Sequence, residues 1–411
     1  MSTAPSLTAP DSRAPTPWGL VWLLSAVSAI GPLSVDMYLP SLPTITRDLG
    51  AAPGAVQGTV AVFFAGLAAG QLFYGPASDR FGRRGPMLVG FALYLAATVV
   101  CVVTTSVGVL IAARLVQALG ACASMVVGRA VVRDHFNHQD SARFLSLLTL
   151  ISGAAPILAP LIGSVLLTVM GWRAIFGVLA GFGAIVTVAI ALWMPESRSQ
   201  AVALQARNEH PFRAYWQLLS QPRLLGYLLG GGFNSACIFT YIASSPIVLI
   251  GVYKVSPTAF GLLFGMNSIG LVAGAQLNRV LLRRYPVDKV LGVSALASLA
   301  CGLWLVAAAI SGIGGLWGVL APLFLTIAGS SLIQSNTTAG GLSVDPTRSG
   351  SASALFGALA FGLGAAAASL AGALADGTAR PMALVIAGCM VLCVVALQGL
   401  ALRHPEPQPA E

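Results

Sequence analysis

The stretch GPASDRFGRRGP (Gly75–Pro86) places four charged residues and three glycines between two long apolar segments. Only 9% of the 411 residues are charged, so this stretch is a sharp break in an apolar chain. Its composition is typical either of a loop that binds phosphate or of a short polar hinge between two membrane helices. The rest of the sequence decides between these two interpretations.

The composition indicates a membrane protein. Hydrophobic residues make up 56% of the chain, and its mean hydropathy is +0.85. A soluble domain carries about 25% charged residues, and a soluble fold could not bury this much apolar surface. The formal charge of +9 does not indicate a nucleic-acid partner, because the basic residues are scattered along the chain and form no single patch.

The apolar segments predict the architecture. A membrane-spanning helix needs about 20 mostly apolar residues, and the sequence contains six such segments, a polar stretch and six more. This pattern predicts an all-α membrane protein with twelve transmembrane helices in two pseudo-symmetric six-helix bundles. The predicted spans are 18–40, 54–77, 85–104, 106–132, 142–168, 172–194, 223–252, 257–281, 287–310, 314–340, 350–374 and 380–402. The predicted organisation is a disordered cytoplasmic tail (1–17), an N-terminal bundle (18–194), a cytoplasmic linker (195–222), a C-terminal bundle (223–402) and a cytoplasmic tail (403–411).

The basic residues predict the orientation. With the N-terminus in the cytoplasm, seventeen Lys and Arg residues fall on the cytoplasmic side, and Arg114 lies within a span. The four on the outside are Arg47, Arg173, Lys254 and Arg380. This asymmetry places both termini in the cytoplasm. The connections SDRFGRRGP and LNRVLLRRYP also echo each other weakly, which suits a transporter built from two parallel repeats.

The sequence lacks the motifs of nucleotide and metal chemistry. A Walker A loop needs a lysine after glycine, whereas the only lysines, Lys254 and Lys289, follow tyrosine and aspartate. No zinc-binding spacing and no catalytic pair is present. We therefore expect neither an enzyme nor a cofactor or metal, and transport must draw on an ion gradient or on the gradient of the substrate itself.

Several motifs resemble those of a known family. GPASDRFGRR resembles motif A of the major facilitator superfamily, RLVQALGACA (Arg114–Ala123) resembles motif B, and GAAPILAPLIGS (Gly153–Ser164) resembles motif C, the antiporter signature. SVDMYLPSLPTI (Ser34–Ile45) closely resembles the first-helix end of the bicyclomycin-resistance and chloramphenicol-efflux group of drug:proton antiporters. QLFYGP, VVRD, GWRAIF and SNTTAGGL are similar to further marks of that group. One departure is Ala159, where motif C usually has glycine.

The resemblance implies roles for two sets of residues. Motif A would latch the two halves on the cytoplasmic side, with Arg83 paired to Asp134 and with Asp79 facing the N-terminus of helix eleven at RSGSAS (348–353). Motif C would seal the cavity against proton leak. The motif A residues are Gly75, Asp79, Arg80, Gly82, Arg83 and Asp134, and the motif C residues are Gly153, Pro156, Pro160 and Gly163. The alternative for motif A is that its charges only set topology.

Asp36 is the only one of the thirteen acidic residues that lies well within a predicted span. An ionisable residue inside a membrane is costly and is functional by default. Arg114 is the only cation inside a span, and the two would attract by about 4 kcal/mol at ~4 Å and an effective dielectric near 20. We therefore expect Asp36 to carry a proton and Arg114 to tune it. The alternative is a fixed structural ion pair.

The embedded charges also bear on the substrate. A cationic substrate would need a second acid once Asp36 is protonated, and no second acid is evident, so neutral or zwitterionic compounds fit better. Polar and aromatic residues near the middle of the spans are candidates for the drug site, with ordinary helix packing as the alternative for each. They are Tyr38, Asn234, Phe239, Tyr241, Asn267, Gln334 and Asn336.

The sequence thus predicts a proton-coupled efflux antiporter in a bacterial inner membrane, acting as a monomer on phenicol-, bicyclomycin- or sulfonamide-type antibiotics. Its partners would be the drug, protons and the lipid bilayer. One alternative is an exporter of an endogenous metabolite, such as a small amino acid or the host's own antibiotic. A nutrient:proton symporter shares motif A, but motif C argues against it.

Overall fold

The computed structural model describes residues 18–135, 138–198, 211–345 and 348–403. Within these ranges all regular elements are helices, and there is no strand. The helices are α1 (Trp18–Asp36), α2 (Leu42–Asp48), α3 (Pro53–Phe81), α4 (Arg84–Val103), α5 (Val107–His135), α6 (His138–Met170), α7 (Trp172–Trp193), α8 (Pro211–Leu219), α9 (Pro222–Pro246), α10 (Pro257–Leu281), α11 (Val287–Ser311), α12 (Gly315–Val344), α13 (Ser349–Ala373) and α14 (Arg380–Ala396). The two tails predicted at 1–17 and 403–411 lie outside the described residues, apart from residue 403.

Twelve helices correspond to the twelve predicted spans: α1, α3 to α7 and α9 to α14. Among the described residues, eleven helical segments are long and apolar enough to cross a membrane, and α6 holds a shorter apolar stretch at Ala155–Met170. The predicted all-α, two-bundle fold is therefore confirmed. The bounds of the two bundles stay a prediction.

The ends of the helices differ from the predicted spans. The first span ends at Asp36, and a 3₁₀ turn (Leu39–Ser41) then leads into α2. Pro40 and Pro43 lack a backbone N–H, which favours this break. The predicted linker contains α8, and α9 and α14 each end in a π-helical turn, at Ile247–Val252 and Leu397–Ala401.

The polar hinge of motif A is shorter than predicted. Helix α3 continues to Phe81, so Asp79 lies in its last turn, and only Gly82 and Arg83 separate α3 from α4. Gly82 has φ +95°, a backbone conformation that side chains rarely adopt, so glycine is required there. We call the end of the molecule that contains Gly82 the basic end. The end at which α3 begins, at Pro53, is called the opposite end.

Glycine-containing faces bring neighbouring helices together. Three helix faces with G-x-x-x-G spacing lie at helix contacts that are too close for an added methyl group at one or both glycines. Gly66 and Gly70 of α3 face α5, Gly261 and Gly265 of α10 face α6, and Gly270 and Gly274 of α10 face α12. The contact between α6 and α10 joins the two halves.

The halves also meet along α3 and α13. At the opposite end, the backbone of Gly54 packs directly against the carbonyl of Gly372. Toward the basic end, Gly357 packs against the side chain of Gln71. The helix pair therefore stays in contact over most of its length, and the opposite end is closed in this arrangement.

Candidate functional site

Asp36 is the last residue of α1 and lies at the junction of the two halves, toward the opposite end. Its side chain is only 4% exposed. It forms no hydrogen bond or ion pair with any residue that the structure describes. The hydroxyl of Tyr241, on α9 of the other half, lies within electrostatic reach of the carboxyl. An acid of one half thus lies near a polar residue of the other half.

Tyr241 and Asn267 form a polar pair beside Asp36. Asn267 Nδ2 donates to Tyr241 Oη at 3.0 Å, and the tyrosine ring stacks on Phe264 with centroids 5.3 Å apart. Asn267 Oδ1 is buried without a hydrogen-bond partner among the described residues. Because Tyr241 Oη already accepts a bond, its proton remains available to an acceptor. The pair therefore offers one donor and one acceptor to a nearby carboxyl.

Arg114 on α5 is fully buried among aromatic rings. Its guanidinium carbon lies 4.2 Å from the ring centroid of Phe63, 4.8 Å from that of Tyr38 and 5.8 Å from that of Phe176. Such cation–π contacts stabilise a desolvated cation by up to about 2 kcal/mol each. Nη1 donates to the carbonyl of Ser34 at 3.0 Å.

The sequence analysis missed Gln117, which helps to hold Arg114. Its Oε1 accepts from Arg114 Nη1 at 2.6 Å, and its Nε2 donates to Thr98 Oγ1 at 2.8 Å. The signal was available, because residues three apart on a helix share a face. Even with this bond, Nε and Nη2 of Arg114 have no hydrogen-bond partner within the described ranges.

Arg114 makes no ion pair with Asp36 in the arrangement that the structure describes. The roles of Asp36 as proton carrier and of Arg114 as its tuner stay predictions. Asp36 on α1 and Arg114 on α5 lie in the same half. The guanidinium of Arg114, however, contacts aromatic rings and the carbonyl of Ser34. The carboxyl lies within electrostatic reach of Tyr241 in the other half. The alternative of a fixed structural ion pair fails on the same observation.

The residues predicted for the drug site separate into several clusters. Tyr38 belongs to the aromatic surroundings of Arg114, and its Oη is 2.9 Å from Thr59 Oγ1. Asn234 on α9 donates to Gln334 Oε1 at 3.3 Å and to the carbonyl of Ser330 at 3.0 Å, while its own Oδ1 is buried without a described partner. Asn234 and Gln334 therefore lie together, apart from Tyr241 and Asn267.

Phe239 belongs to an aromatic cluster that joins the halves. Its ring centroid is 4.4 Å from that of Phe64 on α3 and 5.1 Å from that of Phe361 on α13. Asn336 is instead bonded reciprocally to Asn278, with amide contacts of 2.9 and 3.3 Å. Both polar ends of Asn336 are thus committed to packing α12 on α10. A role in drug binding stays a prediction for each of these residues.

Motif C lies on α6, which the structure describes as helical through Pro156 and Pro160. Gly163 packs against the backbone of Met37, directly after Asp36, and a side chain at 163 would not fit there. Gly153 lies on the same helix, but the structure does not describe which residues contact it. Motif C therefore presses against the turn that carries Asp36.

Motif A forms a charged cluster at the basic end. Arg83 Nε donates to Asp134 Oδ2 at 2.8 Å, the pairing that the resemblance implies, and its Nη1 donates to Asp79 Oδ1 at 2.5 Å. Arg80 lies in the last turn of α3 with its side chain exposed, and a side chain at Gly75 would meet no neighbour. The gating role of these residues stays a prediction.

The suggested partner of Asp79 differs in the structure. Its carboxylate bonds Arg83 and, among the described residues, no backbone amide of α13. Asp79 lies in the last turn of α3, four residues before Arg83. At this spacing its carboxylate reaches the guanidinium of Arg83. The expected contact with the start of α13 is therefore not made in this arrangement.

Glu196 is a member of the motif A cluster that sequence reasoning missed. Its carboxylate accepts from the backbone N–H of Arg83 at 2.7 Å, of Arg84 at 3.2 Å and of Arg198 at 3.1 Å. Burial opposes its ionisation, but these backbone donors outweigh burial and hold the pKa of Glu196 below its ordinary value. The carboxylate also occupies the space that a side chain at Gly82 would need.

Residues next to Glu196 complete this contact. Ser197 Oγ donates to Asp134 Oδ2 at 3.1 Å, and Arg198 Nη1 donates to the carbonyl of Asp79 at 3.2 Å. The chain that leaves α7 is thus bound to the α3–α4 connection through side chains and backbone. The only signal in the sequence was an acid directly after a span, which does not reveal its partner.

Gln57 is a second residue that was missed, at the opposite end. Its Nε2 donates to Ser244 Oγ at 2.8 Å and to the carbonyl of Ala368 at 3.2 Å, both in the other half. Gln57 thus adds hydrogen bonds between the halves close to the contact of Gly54 with Gly372.

Among the described residues no group of three metal-binding side chains lies together.

Comparison with known proteins agrees with this architecture. Residues 24–369 match the sequence model of the family described as Major Facilitator Superfamily. The chain is 31% identical to a bicyclomycin resistance protein homolog of Haemophilus influenzae, over 93% of this chain and 96% of that protein. It is 32% identical to a chloramphenicol resistance protein of Pseudomonas aeruginosa, over 74% of this chain and 72% of that protein.

A solved structure supports the fold. A D-xylose–proton symporter superposes with a TM-score of 0.72 over 93% of this chain and 97% of that chain. The two are only 13% identical, so this likeness shows the fold alone. Members of the matched family are transporters rather than enzymes. The chain is therefore a multi-pass membrane transporter that belongs to the Major Facilitator Superfamily, in its bicyclomycin-resistance and chloramphenicol-efflux group.

Proposed function

We propose that this protein exports small neutral or zwitterionic antibiotics, of phenicol, bicyclomycin or sulfonamide type, in exchange for protons. Its relatives support drug efflux as the general activity. The two halves would rock about the contacts of α3 with α13 and of α6 with α10, so that a central site opens to each side in turn.

Proton coupling is supported by one observation: a buried acid, Asp36, and a buried cation, Arg114, are not paired with each other. Asp36 has no counter-ion, and Arg114 keeps two nitrogens without partners. Burying an unpaired charge costs several kcal/mol. With the opposite end closed, Asp36 is therefore stable as the neutral acid, and it can share hydrogen bonds with the Tyr241–Asn267 pair.

Release of the proton reverses this balance. The resulting carboxylate would need a counter-ion, and Arg114 in the same half keeps Nε and Nη2 without described partners. The attraction between the two charges is about 4 kcal/mol at ~4 Å and an effective dielectric of 20. Movement of Asp36 toward Arg114 would take its side chain away from the Tyr241–Asn267 pair of the other half and favour opening of the opposite end.

The buried charges also select the substrate. Asp36 is the only acidic residue buried in the part of the chain that the structure describes. A cationic drug would find no acid once Asp36 is protonated, whereas a neutral drug needs none. Exchange of one proton for a neutral drug moves net charge, so the membrane potential would assist by about 2.3 kcal/mol per 100 mV.

We place the basic end in the cytoplasm, because most of the basic residues lie there. The protein would then lie in a bacterial inner membrane with both termini inside. It would act as a monomer without a cofactor and take its energy from the proton gradient. Drug arriving from the cytoplasm or the inner leaflet would favour proton release, and protonation from outside would accompany the return.

The test uses purified protein in liposomes with an imposed pH gradient and a pH-sensitive dye. Chloramphenicol, bicyclomycin, a sulfonamide, cysteine and a lipophilic cation are added in turn to wild type, Asp36→Asn and a control, Asp376→Asn, which changes an exposed acid at the same end. We expect a neutral drug to trigger proton movement in wild type and in the control. Asp36→Asn should still bind drug without moving protons.

Three other outcomes would count against the proposal. A proton response that survives Asp36→Asn would move the coupling site elsewhere. A response to cysteine alone would make the protein an exporter of a metabolite. A lipophilic cation as the best substrate would contradict the charge argument for neutral drugs.

A further inference from the structure

A pocket of about 400 Å³ lies at the opposite end, between the two halves. Helices α2 and α3 form one wall, and the π-helical turn after α9 forms the other. Most of the lining is apolar. The lining residues are Pro43, Thr46, Arg47, Pro53, Ile247, Ile250, Gly251 and Lys254. The pocket therefore combines an apolar surface with one cation from each half.

These two cations are unusual for where they lie. The chain has only four basic residues on the predicted outer side, and Arg47 and Lys254 line this one pocket. The other two have different surroundings. Arg173 stacks on Trp172 and donates to the carbonyl of Thr104, and Arg380 lies within electrostatic reach of Asp376. Because basic residues are disfavoured outside, two in one pocket call for a reason.

Neither cation has an acidic partner among the described residues. Arg47 Nη2 donates only to Thr44 Oγ1, at 3.4 Å, and Lys254 Nζ donates to the carbonyl of Gly251 at 2.5 Å. The neighbouring acid, Asp48, accepts instead from Trp172 Nε1 at 3.0 Å. Neither cation of the pocket is thus paired with a carboxylate among the described residues.

The backbone at Lys254 is held in a special conformation. Lys254 has φ +57° and is the only described residue other than glycine with positive φ. It follows a π-helical turn, Ile247–Val252. Both features are uncommon, and both are frequent at functional sites. The chain thus adopts two unfavourable conformations in succession where it brings this ammonium group to the pocket.

We propose that this pocket binds the phosphate headgroup of an anionic phospholipid, with Arg47 of one half and Lys254 of the other as its ligands. The pocket lies where the membrane helices end, which is the level of the headgroups. The prolines and isoleucines would contact the glycerol and upper acyl chains. Because the ligands come from both halves, the lipid favours the arrangement in which the opposite end is closed.

The experiment measures the phosphatidylglycerol retained by the purified full-length protein, by mass spectrometry after exchange into vesicles of phosphatidylcholine with a fraction of phosphatidylglycerol. The test variant is Arg47→Gln/Lys254→Gln. The matched control, Arg173→Gln/Arg380→Gln, removes the same charge from the same side. We expect about thirtyfold weaker retention in the test variant, about fivefold in each single variant, and little change in the control.

A charge-keeping variant, Arg47→Lys/Lys254→Arg, guards against misfolding and should retain the lipid. Equal retention by wild type and by the glutamine variant, or loss that is matched in the control, would overturn the proposal. Retention of inorganic phosphate without retention of phosphatidylglycerol would also overturn it, since free phosphate would then be the ligand. Failure of drug transport in wild type would leave this result unaffected, because the readout is bound lipid.

Discussion

Arg83 and Arg114 are both almost inaccessible to solvent, at 3% and 0% exposure, yet the protein surrounds them in opposite ways. Arg83 has carboxylates at 2.5 and 2.8 Å and a serine hydroxyl at 2.8 Å. Arg114 has aromatic rings, a carbonyl and an amide, and two of its nitrogens have no described partner. One cation is neutralised within its own half, and the other is not.

These different surroundings indicate different roles for Arg83 and Arg114. A neutralised pair fixes the elements that carry it, here α3, α4 and α5 at the basic end. A cation without an anion is a place to which a charge can move, and Asp36 is the only buried acid in the described residues. Substitutions at Arg83 should therefore mainly affect stability and gating, whereas substitutions at Arg114 should affect coupling.

The largest effect is expected from Arg114→Gln. Without the guanidinium, the Asp36 carboxylate has no partner after proton release, so active export should fall about 100-fold or more. Uphill drug transport in proteoliposomes would measure this, with drug binding followed in parallel. Arg173→Gln serves as the control cation. Full active export by Arg114→Gln would remove the proposed distinction between the two arginines.

A smaller effect, on stability, is expected from Arg83→Gln. It leaves two carboxylates close together without their cation, and loss of a fully buried partner costs 3–5 kcal/mol. Asp79 and Asp134 have side chains that are 42% and 15% exposed, so solvent screening reduces the loss to about 2 kcal/mol. Thermal unfolding in detergent, compared with Arg84→Gln, would test this. Equal unfolding of the two variants would contradict the structural role of the pair.

Asp79→Asn should lower transport about fivefold, the effect of about 1 kcal/mol from a partly exposed ion pair. Membrane insertion should be unchanged, because the substitution lies at a helix end. Transport assays and the amount of protein in the membrane fraction would separate the two effects. Normal transport would exclude a latch at this position.

The smallest effect is expected from Glu196→Gln, about 1 kcal/mol, because the carboxylate is largely exposed and only its backbone bonds weaken. Since the pKa of Glu196 is lowered on folding, its stabilisation is present above the ordinary glutamate value and is lost as the pH falls through the lowered pKa. Wild type and variant should therefore differ in unfolding temperature at neutral pH and converge in acid. A difference that is independent of pH would contradict this.

The sequence predicted those features that depend on one helix at a time. Segment length and hydropathy predicted the membrane helices, and the resemblance of motif A implied the bond between Arg83 and Asp134. Rotation of a side chain toward one of two neighbours was not predictable. Arg114 could have faced Asp36 or Phe63, and only the packing of α1, α3 and α5 decides between them.

Contacts between segments that are far apart in the chain were also not predictable from the sequence. Glu196 lies more than 110 residues from the backbone amides of Arg83 and Arg84, to which it is bonded, and Gln57 binds residues of the other half. Neither residue belongs to a periodic pattern or to a quoted motif. Pairings of this kind follow from how complete helices pack.

The contact of Gly54 with the carbonyl of Gly372 offers a means of trapping the transporter. An added methyl group at Gly54 has no room there, and the obstacle is backbone that cannot turn aside. Gly54→Ala should act as a wedge that favours molecules open at the opposite end, detectable as faster labelling of Ser244→Cys by an impermeant thiol reagent. Unchanged labelling would show that the backbones shift instead. A trapped form of this kind would present the opposite end to antibodies and to screens for compounds that block transport.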